Sequence, residues 1–272
     1  MNKEEHNFHI LSIDGGGIRS IVPAFIINSI FSKLGIDFGE KIQMLAGTST
    51  GSIIVAGLAC EISTKKIIKL YSKVCDKILK EIFEERKLGD IENPLLILSI
   101  DIGNGNVHIF KSNDSKHFTR DVLVRDAVLA SCSTPTYFNS IIEYALGGLW
   151  ANNPSLVAFI EAQKRLNVSA DSIKILSISI GHVKSFYGTD LEKKWGFFWE
   201  REKFINFILS LKSQSIHNYL KLIIKEDNLL RLNFESDLPL PLDECTSKQD
   251  LLLKADKLFT YEGKNIQFFF NC

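Results

Sequence analysis

The segment Gly47-Thr48-Ser49-Thr50-Gly51 constrains the fold more than any other part of this 272-residue chain. It has the form Gly-x-Ser-x-Gly, and it lies between a short, largely apolar strand candidate at 41–46 and the largely apolar residues 52–60. This pattern predicts a strand that turns sharply into a buried helix, with Gly47 and Gly51 allowing the backbone to pass closely. Since a serine at such a corner presents its hydroxyl outward, Ser49 is a candidate nucleophile.

A second glycine motif, Asp14-Gly15-Gly16-Gly17-Ile18-Arg19, follows the apolar residues 9–13 and precedes a predicted helix with proline in its first turn. Consecutive glycines beside a helix N-terminus present backbone N–H groups that bind a phosphate or an oxyanion. The motif matches neither Gly-Lys-Ser/Thr nor Gly-x-Gly-x-x-Gly, which disfavours a nucleotide phosphate loop. An oxyanion hole that serves Ser49 is the interpretation that fits both motifs.

Together with Gly147-Gly148-Leu149-Trp150-Ala151-Asn152-Asn153-Pro154, these motifs resemble the patatin-like phospholipase family in order and context. Weaker similarities at residues 107–112, 130–138 and 175–181 extend the resemblance over about residues 9–255. The resemblance implies an α/β fold. We expect residues 1–272 to form a single three-layer domain, with a central, mostly parallel sheet sandwiched by helices.

The resemblance also implies a serine hydrolase that acts on lipid esters with a serine and an aspartate. Carried over by position, Ser49 is the nucleophile, Gly15, Gly16 and Gly17 form the oxyanion loop, and Arg19 is the motif arginine. A lipid or a membrane surface is the expected partner. Neither a cofactor nor a metal is expected.

The expected aspartate directly precedes Gly147 and Gly148, and this chain has Leu146 there. Leucine cannot accept the proton of a serine hydroxyl, so the base is an open question. Glu143 lies three residues upstream and would point to the opposite face of an extended strand. His182 follows a long apolar strand and would reach the carboxyl edge of the sheet, where ligands of α/β folds collect.

Two functions therefore remain. The chain is a phospholipase A-like hydrolase with a substitute or water-mediated base, or it is a pseudoenzyme that binds a lipid or a protein partner without turnover. Retention of Ser49 and both glycine motifs favours the hydrolase, and Leu146 favours the pseudoenzyme.

Composition sets further limits. A chain with 45% hydrophobic residues and no linker-like segment can build one substantial core. Lysine plus arginine and aspartate plus glutamate both number 32, so no basic field for nucleic acid is expected. Five cysteines without a Cys-x-x-Cys pair predict neither a disulfide framework nor a zinc site.

The same features favour a reducing, cytoplasmic location, with peripheral membrane contact as an option. The polar start is unlike a signal peptide. The uncharged residues 43–60 contain the serine motif, which predicts a buried helix instead of a membrane span.

Hydrophobic patterning along the chain predicts alternating strands and helices. The predicted helices cover residues 63–80, 120–131, 154–166, 197–224 and 247–259. A strand at 94–99 is predicted to enter a hairpin connection at 101–106.

Overall fold

The structure, a computed structural model, describes residues 7–71, 76–114, 117–133, 144–183, 201–236, 240 and 248–271. The strands are β1 (Phe8–Ile13), β2 (Met44–Thr48), β3 (Leu95–Asp101), β4 (Asn106–Lys111), β5 (Tyr144–Leu146), β6 (Ile173–Ile178), β7 (His182–Val183), β8 (Leu229–Leu232) and β9 (Glu235–Ser236). The helices are α1 (Ile21–Leu34), α2 (Phe38–Lys41), α3 (Thr50–Ala59), α4 (Thr64–Leu70), α5 (Asp76–Phe83), α6 (His117–Arg120), α7 (Val124–Cys132), α8 (Gly148–Ala151), α9 (Ser155–Arg165), α10 (Arg201–Ile223) and α11 (Lys248–Asn271).

The main sheet has the strand order β4-β3-β2-β1-β6-β8. Strands β3, β2, β1, β6 and β8 run parallel, while β4 and the short β5 pair antiparallel with β3. Strands β7 and β9 form a small parallel pair of their own. The predicted mostly parallel α/β sheet is confirmed.

Both faces of the sheet are covered by helices. In β1, Leu11 and Ile13 pack into one apolar cluster with α1, α3, α7 and α11, while Ile10 packs into a second cluster with α9 and α10. The other central strands divide their side chains between the clusters in the same alternating way. Such continuous burial of both strand faces is typical of a parallel sheet between two helical layers.

The register of β3 determines what lies beyond the end of β2. Leu98 of β3 pairs with Thr48, the last residue of β2, and the next residue, Ser99, pairs with Leu146 of β5. Strand β5 therefore continues along the same edge of β3 from the point where β2 ends. This register brings Leu146 next to the turn that contains Ser49.

Several predicted elements are confirmed and others need correction. The strand-turn-helix at Ser49, the hairpin of β3 and β4, and the helix predicted at 154–166 are all present. The final helix, predicted to end at residue 259, continues to Asn271 because Ile266, Phe269 and Phe270 are buried at helical spacing.

The helices predicted at 63–80 and 120–131 are each divided. The first ends at Leu70 and α5 begins at Asp76, with residues 72–75 outside the described part. The second consists of α6 and α7, because the segment between them forms a bridge from Leu123 to Lys87.

Within the described residues, one segment, Gly17–Leu34, has the length and composition of a membrane-spanning helix. Since 61% of it is buried inside the fold, core packing accounts for its apolar character. The uncharged residues 43–60 form β2, the serine turn and α3, as predicted.

The close packing at Gly51 leads to a stability prediction. A Cβ atom on Gly51 would lie 2.6 Å from the Asp14 carbonyl oxygen and 2.7 Å from that of Ile13. Because both neighbours are backbone atoms, Gly51→Ala should lower the free energy of unfolding by about 1–3 kcal/mol in chemical denaturation.

Gly263→Ala is the matched control, since Gly263 lies in α11 with no atom within 4 Å of the added methyl group. It should raise the free energy of unfolding by about 0.5–1 kcal/mol, because alanine loses less backbone entropy in a helix. Equal stabilities of the Gly51→Ala variant and the unmodified chain would contradict the described packing.

Candidate active site

Ser49 occupies the sharp turn between β2 and α3. Its φ of 51° and ψ of −133° lie in a region that residues other than glycine rarely adopt. The Ser49 N–H donates to Ser131 Oγ at 2.8 Å, and Ser52 Oγ donates to the Ser49 carbonyl at 2.5 Å. Strained backbone of this kind persists where the surroundings hold it, and it is concentrated at functional sites.

The loop Gly15–Gly17 lies directly against this turn. A Cβ atom on Gly15 would stand 2.9 Å from Ser49 Cβ, so only a glycine fits there. The Gly15 N–H donates to the Asn152 carbonyl at 3.2 Å, and the Gly16 N–H donates to Thr50 Oγ1 at 3.3 Å. Two backbone N–H groups of the loop therefore lie close to the serine turn, and each donates to an acceptor within the protein.

Arg19 links the glycine loop to α10. Its side chain is almost fully buried; Nε donates to the Gly16 carbonyl at 3.4 Å, and Nη2 donates to Asn206 Oδ1 at 2.8 Å. Arg19 therefore hydrogen-bonds to the glycine loop through the Gly16 carbonyl and lies between this loop and α10.

Leu146 is buried beside the serine turn. Its N–H donates to the Ser133 carbonyl, and the N–H of Gly147 donates to the carbonyl of Ser131, the residue whose hydroxyl holds Ser49. The backbone at position 146 is therefore tied to the segment that holds Ser49, and the leucine side chain there offers no group that accepts a proton.

The motif glycines allow this packing. Cβ atoms on Gly147 and Gly148 would lie 2.0 Å from the Leu98 carbonyl oxygen and 2.9 Å from Asn152 Oδ1, respectively. On the other side of the turn, a Cβ atom on Gly47 would meet Val55 at 2.5 Å. Each of these positions excludes a side chain because another group already occupies the space.

The Cys132 thiol lies within hydrogen-bonding distance of the side chains of Ser52 and Ser49. Burial raises the pKa of this thiol to about 12. The thiol is therefore neutral near pH 7 and is not a base for Ser49.

His182 lies at the carboxyl edge of the sheet, as predicted. Its Nδ1 is 3.0 Å from Asn233 Nδ2, and its Nε2 is 3.5 Å from Glu235 Oε1. The ring of His182 thus contacts Glu235 of β9 and Asn233, which lies between β8 and β9. Its role as a substitute base stays a prediction, and Glu143 lies outside the described residues.

A cavity of about 210 Å³ lies behind the glycine loop, between the end of β6 and helix α10. Asp14 is fully buried in its wall and is paired with Arg231, whose Nη1 is 2.9 Å from Asp14 Oδ1. Ser213 of α10 donates to the same carboxylate at 2.7 Å. The buried carboxylate is therefore both charge-paired and hydrogen-bonded, as a buried ion must be to be tolerated.

His217 lines the same cavity. Burial, followed by the nearby positive charges of Arg231 and Lys221, lowers the pKa of its imidazole to about 4. The ring is therefore neutral near pH 7. Within the described part of the chain, no group of three or more His, Cys, Asp or Glu side chains could hold a metal ion.

Sequence analysis did not identify Asp14, Ser131, Asn152 or Arg231 as site residues. Arg231 reaches Asp14 across 217 positions, and Ser131 reaches Ser49 across 82. Contacts over such separations depend on the strand order, which no local pattern encodes. Asp14 and Asn152 belong to the two glycine motifs, and Ser131 lies in the similar segment 130–138, so their places in the sequence were the available signals.

Residues 11–103 match the model of the patatin-like phospholipase family. The chain is 24% identical to a cGAMP-activated phospholipase from Pseudomonas aeruginosa, over 79% of this chain and 74% of that protein. It is 26% identical to a cGAMP-activated phospholipase from Escherichia coli, over 95% and 89% of the two proteins.

Among solved structures, VipD from Legionella pneumophila has a similar fold, with a TM-score of 0.52 and 15% identity. The similarity covers 97% of this chain and 67% of VipD. At this level of identity, the likeness concerns the fold alone.

The raised pKa of Cys132 predicts slow alkylation in the folded protein. At pH 9 about half of an ordinary thiol is ionised, whereas a thiol with a pKa of about 12 is ionised to roughly one part in a thousand. Iodoacetamide should therefore modify Cys132 at least about a hundredfold more slowly in the native chain than in guanidinium, as followed by peptide mass spectrometry. Equal rates in the two states would show that the thiol is not in the described environment.

Proposed function

We propose that the chain is a lipid acyl hydrolase in which Ser49 attacks the ester, because residues 11–103 match the patatin-like phospholipase family model and the chain is similar to cGAMP-activated phospholipases. The observation that carries the proposal is the contact between Gly15 and the strained turn at Ser49. A nucleophile and a set of backbone donors side by side are the two parts that acyl transfer needs.

In the proposed reaction, Ser49 Oγ bonds to the ester carbonyl carbon and the carbonyl oxygen becomes an oxyanion. The N–H groups of Gly15, Gly16 and Gly17 are the proposed donors to that oxyanion. Two of these donors must first leave the acceptors they have in the structure: the Gly15 N–H its 3.2 Å hydrogen bond to the Asn152 carbonyl, and the Gly16 N–H its 3.3 Å hydrogen bond to the Thr50 hydroxyl. The intermediate then expels the lipid alcohol, and water later hydrolyses the acyl-serine.

Removal of the Ser49 hydroxyl proton is the step for which the described residues offer no evident base. Leu146 occupies the base position, and the Cys132 thiol near Ser49 is neutral. We propose that water carries the proton from Ser49 to the leaving alcohol oxygen. Hydrolases that lose one member of the catalytic set typically retain only roughly 10³–10⁴-fold acceleration over water, so slow turnover is expected.

A second candidate is a pseudoenzyme that binds a lipid or a partner without turnover. Leu146 favours it, since the residue fills the site of the base with buried apolar surface. Retention of the strained Ser49 conformation favours the hydrolase, because a strained turn without a function brings no evident gain.

We propose that the chain works as one domain and meets its lipid substrate at a membrane surface from the cytoplasm. Two bacterial relatives are named cGAMP-activated phospholipases, so assays should be run both with and without cGAMP.

The decisive variants exchange the residue at position 146. Leu146→Asp should raise phospholipid hydrolysis at least about a hundredfold, because a general base contributes roughly 10²–10⁴-fold. Leu146→Asn is the matched control: it has nearly the same shape as the aspartate variant and cannot act as a base. Fatty acid release from phospholipid micelles is the measurement, with thermal unfolding recorded for each variant.

Ser49→Ala completes the comparison. Slow release by the unmodified chain that disappears in Ser49→Ala supports the hydrolase. Absence of release by the unmodified chain, with or without cGAMP, together with activity in Leu146→Asp, would instead establish the pseudoenzyme.

A further inference from the structure

The cavity behind the glycine loop is close enough to Ser49 to belong to the same bound molecule. Ser49 Cβ and Asn152 Oδ1 each lie 2.9 Å from the position that a Cβ atom on Gly15 would take. The two atoms are therefore less than about 6 Å apart. Asn152 also lines the cavity, so the wall of the cavity comes within about 6 Å of Ser49 Cβ.

Asn152 is a buried residue of the cavity wall, and its Oδ1 lies 2.9 Å from the positions that Cβ atoms on Gly15 and Gly148 would take. Only 2% of the residue is exposed, and its side chain makes no hydrogen bond within the described part of the chain. Its backbone carbonyl is separately occupied by the Gly15 N–H. A buried amide with a free donor and a free acceptor is suited to contact a polar ligand.

The cavity wall carries further polar groups and a positive balance of charge. The charged residues among its described lining are Arg19, Arg231 and Asp14, which leave one net positive charge. His217 and Asn233 also belong to the wall. Their atoms Nδ1 and Oδ1, respectively, are buried and have no hydrogen-bond partner in the described structure. The wall thus offers an anion a positive balance of charge, and it offers hydroxyl groups two acceptors.

We propose that this cavity binds a phosphorylated polyol, presented as the headgroup of the lipid whose ester lies at Ser49. The assignment rests on the proposed hydrolase function. Arg19 and the Asn152 amide contact the phosphate, and His217 and Asn233 accept hydrogen bonds from the headgroup hydroxyls. In a glycerophospholipid the phosphate and the ester are attached to neighbouring carbons of glycerol, which agrees with the short separation between Asn152 and Ser49.

Size and composition argue against other occupants. Pockets for drug-sized ligands measure about 300–1,000 Å³, so a cavity of about 210 Å³ suits a headgroup better than an acyl chain. Phe, Tyr and Trp are absent from its described lining, whereas quaternary ammonium groups are recognised by aromatic rings. Phosphoglycerol is therefore favoured over phosphocholine.

The test changes charge at the rim of the cavity without disturbing the core. Gln214 lies on the exposed side of α10 and lines the cavity. Gln214→Glu should lower kcat/KM for phosphatidylglycerol in mixed micelles about fivefold or more through KM, and Gln214→Lys should raise it. Phosphatidylcholine hydrolysis should change by a smaller factor in both variants, because the choline cation offsets the charge of its phosphate.

Asn218→Asp is the matched control, since it adds the same charge to an exposed residue of α10 outside the cavity lining. It accounts for general repulsion from an anionic micelle. A loss in Asn218→Asp as large as in Gln214→Glu would overturn the proposal. Asn152→Ala should lower kcat/KM for phosphatidylglycerol about tenfold without lowering the midpoint of thermal unfolding by more than a few degrees.

Binding to the Ser49→Ala variant separates this proposal from the proposed function, because it needs no turnover. Vesicles of phosphatidylglycerol should retain the variant better than vesicles of phosphatidylcholine, and Gln214→Glu should remove the difference. The midpoint of thermal unfolding is also measured with and without sn-glycerol 3-phosphate. Together with the vesicle assay, it distinguishes a lipid headgroup from a soluble phosphorylated polyol. A shift without any vesicle preference would assign the cavity to a soluble phosphorylated polyol and overturn the headgroup assignment. Absence of both effects would overturn the site itself.

Discussion

The close approach of two strand-to-helix turns is the constraint on which the site depends. Because Gly51 has no side chain, the start of α3 packs against the carbonyls of Ile13 and Asp14. Because Gly15 has none, the loop that follows β1 packs against Ser49. Both contacts exist because β1 and β2 are parallel neighbours whose carboxyl ends meet at one edge of the sheet. Without this contact, the backbone donors and the serine hydroxyl would not share a surface.

Polar groups buried around this contact fix its geometry. Ser131 holds the Ser49 N–H and itself donates to the Leu98 carbonyl at 2.5 Å, so the strained turn is tied to β3. On the opposite side, the Asp14–Arg231 pair joins the end of β1 to β8. Breaking such a buried pair from one side typically costs about 3–5 kcal/mol, because it leaves the other charge buried without compensation.

How much the sequence predicts depends on the range of each contact. The serine turn, the glycine loop and the α/β sheet follow from local patterns of glycine and apolar residues, and the structure has all three. Leu146 was recognised as a departure from sequence alone, but its position beside Ser49 required the register of β3 with both β2 and β5. The polar cavity could not be predicted, because its wall combines residues from the first loop, α10 and β8.

The central claim is that Ser49 remains reactive although Leu146 replaces the expected base. Labelling with a fluorophosphonate, followed by peptide mass spectrometry, tests this claim most directly, because the probe bonds only to an activated serine. The account predicts slow, saturable modification of Ser49 in the native chain and none after heat denaturation. An unmodified Ser49 in the native chain, under conditions that label the Leu146→Asp variant, would contradict it.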